Sequence, residues 1–221
     1  MILAMTDFSR EREAMIERQL KRRGINEQAI LEAFLSVPRE KFVSPEYEHQ
    51  AYSDHPLPIE AGQTISQPYI VALMIQAAEI EPGDKVLEIG AGSGYAAAII
   101  SRIADKVVAI ERQHDLVQVA RARLKRLAYE NVEIVEGDGT RGCPDEAPFD
   151  AILAAASGSH VPEPLLAQLA PGGRIVMPIG SPGWAQELVK VTKQDGGVLK
   201  QESLGGVRFV PLIGEEGWKD A

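Results

Sequence analysis

The stretch "VLEIGAGSGY", residues 86–95, joins a short apolar run to three closely spaced glycines. The apolar run predicts a buried strand, and the "AAAIISRIA" that follows predicts an apolar helix. Glycines at a strand-to-helix turn let the backbone approach a ligand closely, and the N-terminus of the helix favours an anionic group. The stretch therefore predicts a ligand-binding turn at the carboxyl end of a parallel strand.

The rest of the chain repeats this alternation of strands and helices. It predicts an α/β fold with a doubly wound, mostly parallel seven-stranded sheet. An N-terminal helical extension with a loop is expected over 1–80 and a ligand-binding domain over 81–221, together forming one compact unit. Helices are predicted at 8–23, from a cap at Asn26 to Pro38, at 67–79 and at 114–129, with a short one near 161–170. Further strands are predicted at 106–110, 132–135, 149–156 and 172–180, with an antiparallel pair in "ELVKVTK" and "KQESLGGVRFVPL".

The composition argues against nucleic-acid-binding, metal-binding and membrane proteins. The formal charge of −9 disfavours non-specific binding to nucleic acid, because the phosphates would repel the protein. The basic run "RARLKR" at 121–126 is expected to be the solvated face of a helix. No histidines or cysteines have metal-ligand spacing, no apolar run is long enough to span a membrane, and "MILAMTDFSR" does not resemble a signal peptide. We expect a cytoplasmic enzyme without a metal.

The spacing of the glycines distinguishes two cofactor classes. Gly90, Gly92 and Gly94 give G-x-G-x-G, whereas a dinucleotide fingerprint would need a glycine where Tyr95 stands. An acid, Glu88, lies two residues before the first glycine. This E-x-G-x-G-x-G pattern is typical of methyltransferases that use S-adenosylmethionine (SAM).

Two further acids follow neighbouring strands. Glu111 could accept both ribose hydroxyls of an adenosine, and Asp138, in "EGDG", could accept from an adenine amino group. Either acid alone could equally be a helix cap or a turn residue. Three acids at successive strand ends beside a glycine loop favour a SAM site.

A second unusual stretch, "GQTISQP" at 62–68, is uncharged and leads directly into a predicted helix. Ser66 could simply cap that helix. Alternatively, this loop could form one wall of an active site.

Taken together, "GQTISQP", "VLEIGAGSGY", "EGDG", "LAPGGRIVMPIG" and "VRFVPL" resemble the protein-L-isoaspartate (D-aspartate) O-methyltransferase family from about residue 10 to residue 213. "TISQP" and "VRFVPL" are the more specific motifs, since the glycine loop would fit many SAM-dependent methyltransferases. The chain departs from the family pattern at "AAASGSH" (154–160), at Ile213 and at Tyr69. These departures affect expected contacts with the substrate more than the transfer chemistry.

The resemblance implies a SAM-dependent, Rossmann-like enzyme that methylates isoaspartyl residues of proteins and peptides, releases S-adenosylhomocysteine and starts their repair. It implies Ser66 as the active-site residue, with Thr64, Ile65, Gln67, Val207, Phe209 and Val210 binding substrate. The implied cofactor residues are Glu88, Gly90, Gly92, Ser93, Gly94, Glu111, Arg112, Asp138 and Gly139. A monomer that binds neither nucleic acid nor membrane is expected.

Three alternatives remain open at this level. A nucleic-acid methyltransferase is disfavoured by the acidic charge and by "AAASGS", where base-flipping enzymes usually carry prolines and an aromatic residue. A small-molecule methyltransferase or a non-catalytic SAM-binding module is also conceivable, although the Ser66 loop argues against the latter. Cys143 is interpreted as an incidental thiol and His160 as a surface histidine.

Overall fold

The apolar runs of the sequence form one central sheet in the computed structural model, which describes residues 8–219. A short ribbon of two strands precedes this sheet in the chain. The strands are β1 (Leu57–Pro58), β2 (Thr64–Ile65), β3 (Lys85–Ile89), β4 (Lys106–Glu111), β5 (Val132–Glu136), β6 (Phe149–Ala154), β7 (Leu169–Ile179), β8 (Gln186–Lys193) and β9 (Leu199–Val207).

The sheet has seven strands in the order β5-β4-β3-β6-β7-β8-β9, and β1 pairs with β2 separately. Strands β3 to β7 are parallel, while β7-β8 and β8-β9 are antiparallel. This confirms the predicted doubly wound fold and its antiparallel end. The strand order reverses between β3 and β6, so the glycine loop after β3 lies at the switch point, where such sheets bind ligands.

The helices are α1 (Ser9–Met15), α2 (Gln28–Ser36), α3 (Pro68–Ala78), α4 (Tyr95–Ile100), α5 (His114–Arg126) and α6 (Glu163–Ala167). A π turn and a 3₁₀ turn extend α1 to Arg23, and Gly24 ends this segment with a left-handed φ of 92°. The predicted cap at Asn26 was wrong, because the N-cap of α2 is Glu27 and its side chain makes no capping bond. Helix α4 is shorter than predicted, since turns replace it after Ile100.

Buried side chains cover both faces of the sheet. Consecutive residues of β3 point to opposite faces, so Val86 joins one apolar cluster and Leu87 the other. This explains why the strands are continuous apolar runs rather than alternating ones. The first cluster also contains Met15 and Phe34 of the N-terminal extension. The predicted boundary at residue 80 stays a prediction, and residues from both sides of it share this core.

Within residues 8–219, no helix has the length and apolar character needed to cross a membrane. The same part of the chain contains no group of three or more histidine, cysteine or acidic side chains that could hold a metal ion. Most of the stretch "MILAMTDFSR" lies outside the described residues.

Candidate active site

A cavity of about 820 Å³ opens at the carboxyl edge of the sheet. One wall is the 62–68 loop with α3, the floor is the glycine loop with the ends of β3 and β4, and the third side is the 206–213 segment. The lining includes the predicted residues Thr64, Ile65, Ser66, Gln67, Glu88, Gly90, Gly92, Ser93, Glu111, Arg112, Gly139, Val207, Phe209 and Val210. Gly94 and Asp138 are the two predicted residues that lie beside the cavity without lining it.

The glycine loop has a backbone that other residues rarely adopt. Its φ angles are 86°, 53° and 85° at Gly90, Gly92 and Gly94. A Cβ on Gly94 would lie 3.3 Å from Leu124, so this glycine also permits close packing of α5 against the loop. Glu111 braces the loop from β4, because its Oε2 accepts from the Gly92 amide at 3.0 Å.

A second brace comes from the basic run 121–126, which was predicted to be solvated. That prediction was wrong for Arg123, which is buried on α5 and donates to the Ser93 carbonyl at 2.9 Å. Arg123 also approaches Glu60 at 3.4 Å. It thereby ties the glycine loop to the chain before the Ser66 loop.

Ser66 does not cap α3. The N-cap is Gln67, without a side-chain capping bond, and Pro68 is the first helical residue. The Ser66 carbonyl accepts from Arg39 at 2.8 Å, and Ser66 lines the cavity. The capping interpretation is therefore replaced by a loop held through its backbone from the N-terminal extension.

The predicted strand "VRFVPL" is only partly a strand. Strand β9 ends at Val207, and the chain then follows the side chain of Gln186 instead of its backbone. Gln186 accepts from the Phe209 amide at 2.6 Å and donates to the Phe209 carbonyl at 3.0 Å. The Ser157 amide, in the departing "AAASGSH" stretch, donates to the Val210 carbonyl at 2.8 Å. These bonds fix the segment against the cavity.

Two residues interpreted as incidental lie away from the cavity lining. Burial raises the pKa of the Cys143 thiol, which is the opposite of what a reactive thiolate requires. His160 is exposed and is hydrogen-bonded to Ser159.

The family model for protein-L-isoaspartate (D-aspartate) O-methyltransferase matches residues 10–217. The chain belongs to this family. Among curated relatives, protein-L-isoaspartate O-methyltransferase 2 of Pelobacter propionicus is 54% identical over 94% of this chain and 92% of its own. The Koribacter versatilis protein-L-isoaspartate O-methyltransferase is 50% identical over 98% and 97%.

Solved structures of the same family superpose on this chain. One protein-L-isoaspartate O-methyltransferase superposes with a TM-score of 0.84 and 33% identity, covering 93% of this chain and 66% of that chain. A Plasmodium falciparum β-aspartate methyltransferase, solved with S-adenosyl-L-homocysteine, gives a TM-score of 0.78 and 28% identity, covering 95% and 99%. The chain is thus a SAM-dependent protein-L-isoaspartate O-methyltransferase, as the resemblance implied.

The floor of the cavity suits a positively charged cofactor. Glu88 is 2% exposed, and its Oε2 has no hydrogen-bond partner among the described residues. Burial, with a further contribution from Glu111, raises the pKa of Glu88 to about 8. With this pKa Glu88 is protonated at pH 7 when no cation is near it. The sulfonium and ammonium groups of SAM would lower its pKa and favour the carboxylate, so Glu88 fits the methionine end of the cofactor.

Asp138, the acid predicted to bind adenine, already uses both carboxylate oxygens in hydrogen bonds within the chain. Asp138 Oδ1 accepts from the Thr140 amide at 2.9 Å, and Oδ2 accepts from the Glu215 amide at 2.7 Å. Burial raises the pKa of Asp138, but these hydrogen bonds outweigh it and lower the pKa below its usual value. Asp138 is therefore ionised and holds the C-terminal segment beside Gly139, which does line the cavity.

Proposed function

We propose that Ser66 orients the α-carboxylate of an L-isoaspartyl residue for methylation. The observation that supports this most directly is that Ser66 and the glycine loop line the same cavity. When bound, SAM supplies an activated methyl group on a positively charged sulfur. Ser66 would act as a hydrogen-bond donor that fixes the carboxylate oxygen, not as a nucleophile.

Methyl transfer to a carboxylate needs no proton transfer by an acid or a base of the protein. A carboxylate with a pKa of about 4 is already ionised at pH 7, so no general base is needed. The work of the protein is to exclude water and to align the reacting groups, which can supply roughly 7–11 kcal/mol.

We carry the cofactor roles over from the family resemblance, and all of the assigned residues except Gly94 and Asp138 line the cavity. Gly90, Gly92 and Ser93 would hold the methionine part of SAM, and Glu111 would accept from the ribose hydroxyls with the lone pairs that the backbone leaves free. Asp138, beside Gly139, would accept from the adenine amino group. The remaining assigned cofactor residues are Glu88, Gly94 and Arg112.

The substrate peptide would lie along the 207–210 segment, next to Thr64, Ile65 and Gln67. Gln186 already occupies both backbone groups of Phe209. Within residues 8–219, the Arg208 carbonyl and the Val210 amide form no hydrogen bond with another backbone group. These alternate groups could pair with an extended peptide, with little demand on its sequence.

The methyl ester would then lose methanol as the neighbouring backbone nitrogen attacks, giving a succinimide. Hydrolysis of the succinimide returns some normal aspartate. We propose that the enzyme is a cytoplasmic monomer that methylates flexible, damaged segments of other proteins. It would act independently of nucleic acid and membranes.

The test uses methyl-labelled SAM and two peptides that differ only in carrying isoaspartate or normal aspartate. Base-labile label on the isoaspartyl peptide alone is the expected result. Label on neither peptide, with SAM still bound, would contradict the proposed reaction and favour a metabolite substrate or a non-catalytic role.

The Ser66→Ala variant tests the residue assignment. We expect kcat to fall roughly 100-fold, because an unoriented carboxylate rarely meets the methyl group in line. The Kd for SAM, measured by calorimetry, should stay within about twofold of wild type. Loss of SAM binding in this variant would overturn the assignment. Ser44→Ala, in the same extension but away from the cavity lining, is the control.

A further inference from the structure

Arg39 is the largest fully buried side chain in the described part of the protein, with 0% exposure. It lies in the 3₁₀ turn Arg39–Phe42 of the N-terminal extension. Burial lowers the pKa of its guanidinium, but arginine remains protonated in proteins. A buried cation normally needs a carboxylate partner, since removing its charge from water is unfavourable. Arg39 forms no ion pair within residues 8–219.

Its contacts are backbone carbonyls and an aromatic ring. Nε donates to the Ala51 carbonyl at 2.7 Å, and Nη2 donates to the Ser66 carbonyl at 2.8 Å. The guanidinium carbon lies 4.7 Å from the centre of the Tyr95 ring. Nη1 is buried without a hydrogen-bond partner among the described residues. The Tyr95 hydroxyl is likewise buried without a hydrogen-bond partner among these residues, and its interaction with the guanidinium raises the pKa of Arg39, which partly offsets the effect of burial.

These contacts connect two sides of the cavity. Ser66 belongs to the loop on the substrate side, while Tyr95 follows the glycine loop as the first residue of α4. Both line the cavity, and Arg39 itself does not. A planar, rigid guanidinium therefore sets how far the Ser66 loop stands from the cofactor loop.

We infer that Arg39 is a positioning residue for methyl transfer, which aligns the Ser66 loop with the glycine loop. The inference rests on the proposed role of Ser66. It follows because in-line transfer is sensitive to displacement, and a shift of about 1 Å can reduce the rate about 100-fold.

A purely electrostatic role would behave differently. Methyl transfer neutralises the substrate carboxylate, so a fixed positive charge would stabilise the bound carboxylate more than the transition state. Its loss would appear mainly in the KM for the peptide. A lysine would keep the charge but lose the planar fork. The two roles are therefore separable with Arg39→Lys.

The experiment compares Arg39→Lys and Arg39→Met with matched changes at Arg12. Arg12 lies in α1, donates to the Tyr52 hydroxyl at 2.9 Å and to the Leu35 carbonyl at 3.0 Å, and pairs with Glu40 at 3.4 Å. None of these three partners lines the cavity. For both Arg39 variants we expect kcat to fall about 100-fold and the Kd for SAM to change less than threefold. Arg12→Lys should lower the Tm and leave kcat near wild type.

Amide hydrogen exchange gives a readout that does not depend on turnover. Exchange across 62–68 should accelerate in Arg39→Lys and not in Arg12→Lys. If Arg39→Met does not fold, the lysine variant and the exchange measurement decide the question.

Wild-type kcat in Arg39→Lys, or an equal loss of kcat in Arg12→Lys, would overturn the inference. An active Ser66→Ala variant would overturn the role of Ser66 and this inference with it. An inactive Ser66→Ala beside an active Arg39→Lys would overturn the role of Arg39 alone.

Discussion

At the residue scale, two buried arginines donate to backbone carbonyls of residues that line the cavity. Arg39 donates to the Ser66 carbonyl and Arg123 to the Ser93 carbonyl. The contacts span 27 and 30 residues, and charged side chains are normally predicted to be exposed. Because charged side chains are expected at the surface, the sequence predicted Ser66 and Ser93 as site residues but neither Arg39 nor Arg123. An arginine inside an apolar helical pattern, as at 123, is the only local signal.

Glu88 predicts a pH dependence of stability. Its pKa is about 8 in the folded protein against an ordinary value of 4.5. Between these values the folded state holds a proton that the unfolded chain has lost, so stability falls as pH rises through this window and levels off above about 8. Without cofactor, Glu88→Gln should raise the Tm at about pH 8.5, and the gain should shrink towards about pH 5. Calorimetry checks this.

The control for Glu88→Gln is Glu130→Gln, which removes an exposed carboxylate. A Tm difference for Glu88→Gln that stays constant from about pH 5 to about pH 8.5 would contradict the raised pKa.

Asp138 predicts an effect on cofactor affinity. Replacing it by alanine should weaken SAM binding about tenfold, the value of one hydrogen bond to a charged group. Arg141→Gln is the control, because Arg141 pairs with Glu215 and ties down the same C-terminal segment at 3.0 Å. Equal losses in both variants would mean that Asp138 only holds that segment. Unchanged affinity in Asp138→Ala would reject the adenine assignment.

At the element scale, the end of β9 shows where sequence patterns stop being sufficient. The stretch 200–212 is predicted to form one strand, but the ladder stops at Val207. The Gln186 side chain takes over the hydrogen bonds that a strand neighbour would make to Phe209. The order of apolar and polar residues does not show that the side chain of Gln186 would take the place of a neighbouring strand's backbone. Arg208 and Val210 of the resulting segment line the cavity.

Gln186→Met should therefore loosen the substrate segment without touching the cofactor loop. It removes all three hydrogen bonds of this amide, including the one to Ser157 at 2.9 Å. We expect the KM for an isoaspartyl peptide to rise about tenfold, with the Kd for SAM unchanged. Gln201→Met, at an exposed position on β9, should leave both constants unchanged. A fall in kcat at constant KM would argue against a role in peptide binding.

At the scale of the whole molecule, the mostly parallel sheet, its antiparallel end and the turn formed by the glycine loop could be predicted well. They depend on apolar periodicity and on glycine spacing, which are local properties of the sequence. The contribution of the N-terminal extension could not be predicted in the same way. Phe34 and Met15 pack this extension into the same core as the sheet, and from there Arg39 bonds the Ser66 loop. Such an arrangement depends on tertiary packing, not on any pattern within 1–80.

The depth of the cavity also has a kinetic consequence. The assigned cofactor residues Glu88, Ser93 and Glu111 are buried, whereas Arg208 and Val210 on the peptide side are exposed. A bound peptide would cover the route by which the nucleoside enters and leaves. We expect compulsory-order turnover, with SAM binding first and S-adenosylhomocysteine leaving last. The product should then compete with SAM and inhibit non-competitively against peptide, and equally tight peptide binding without cofactor would exclude that order.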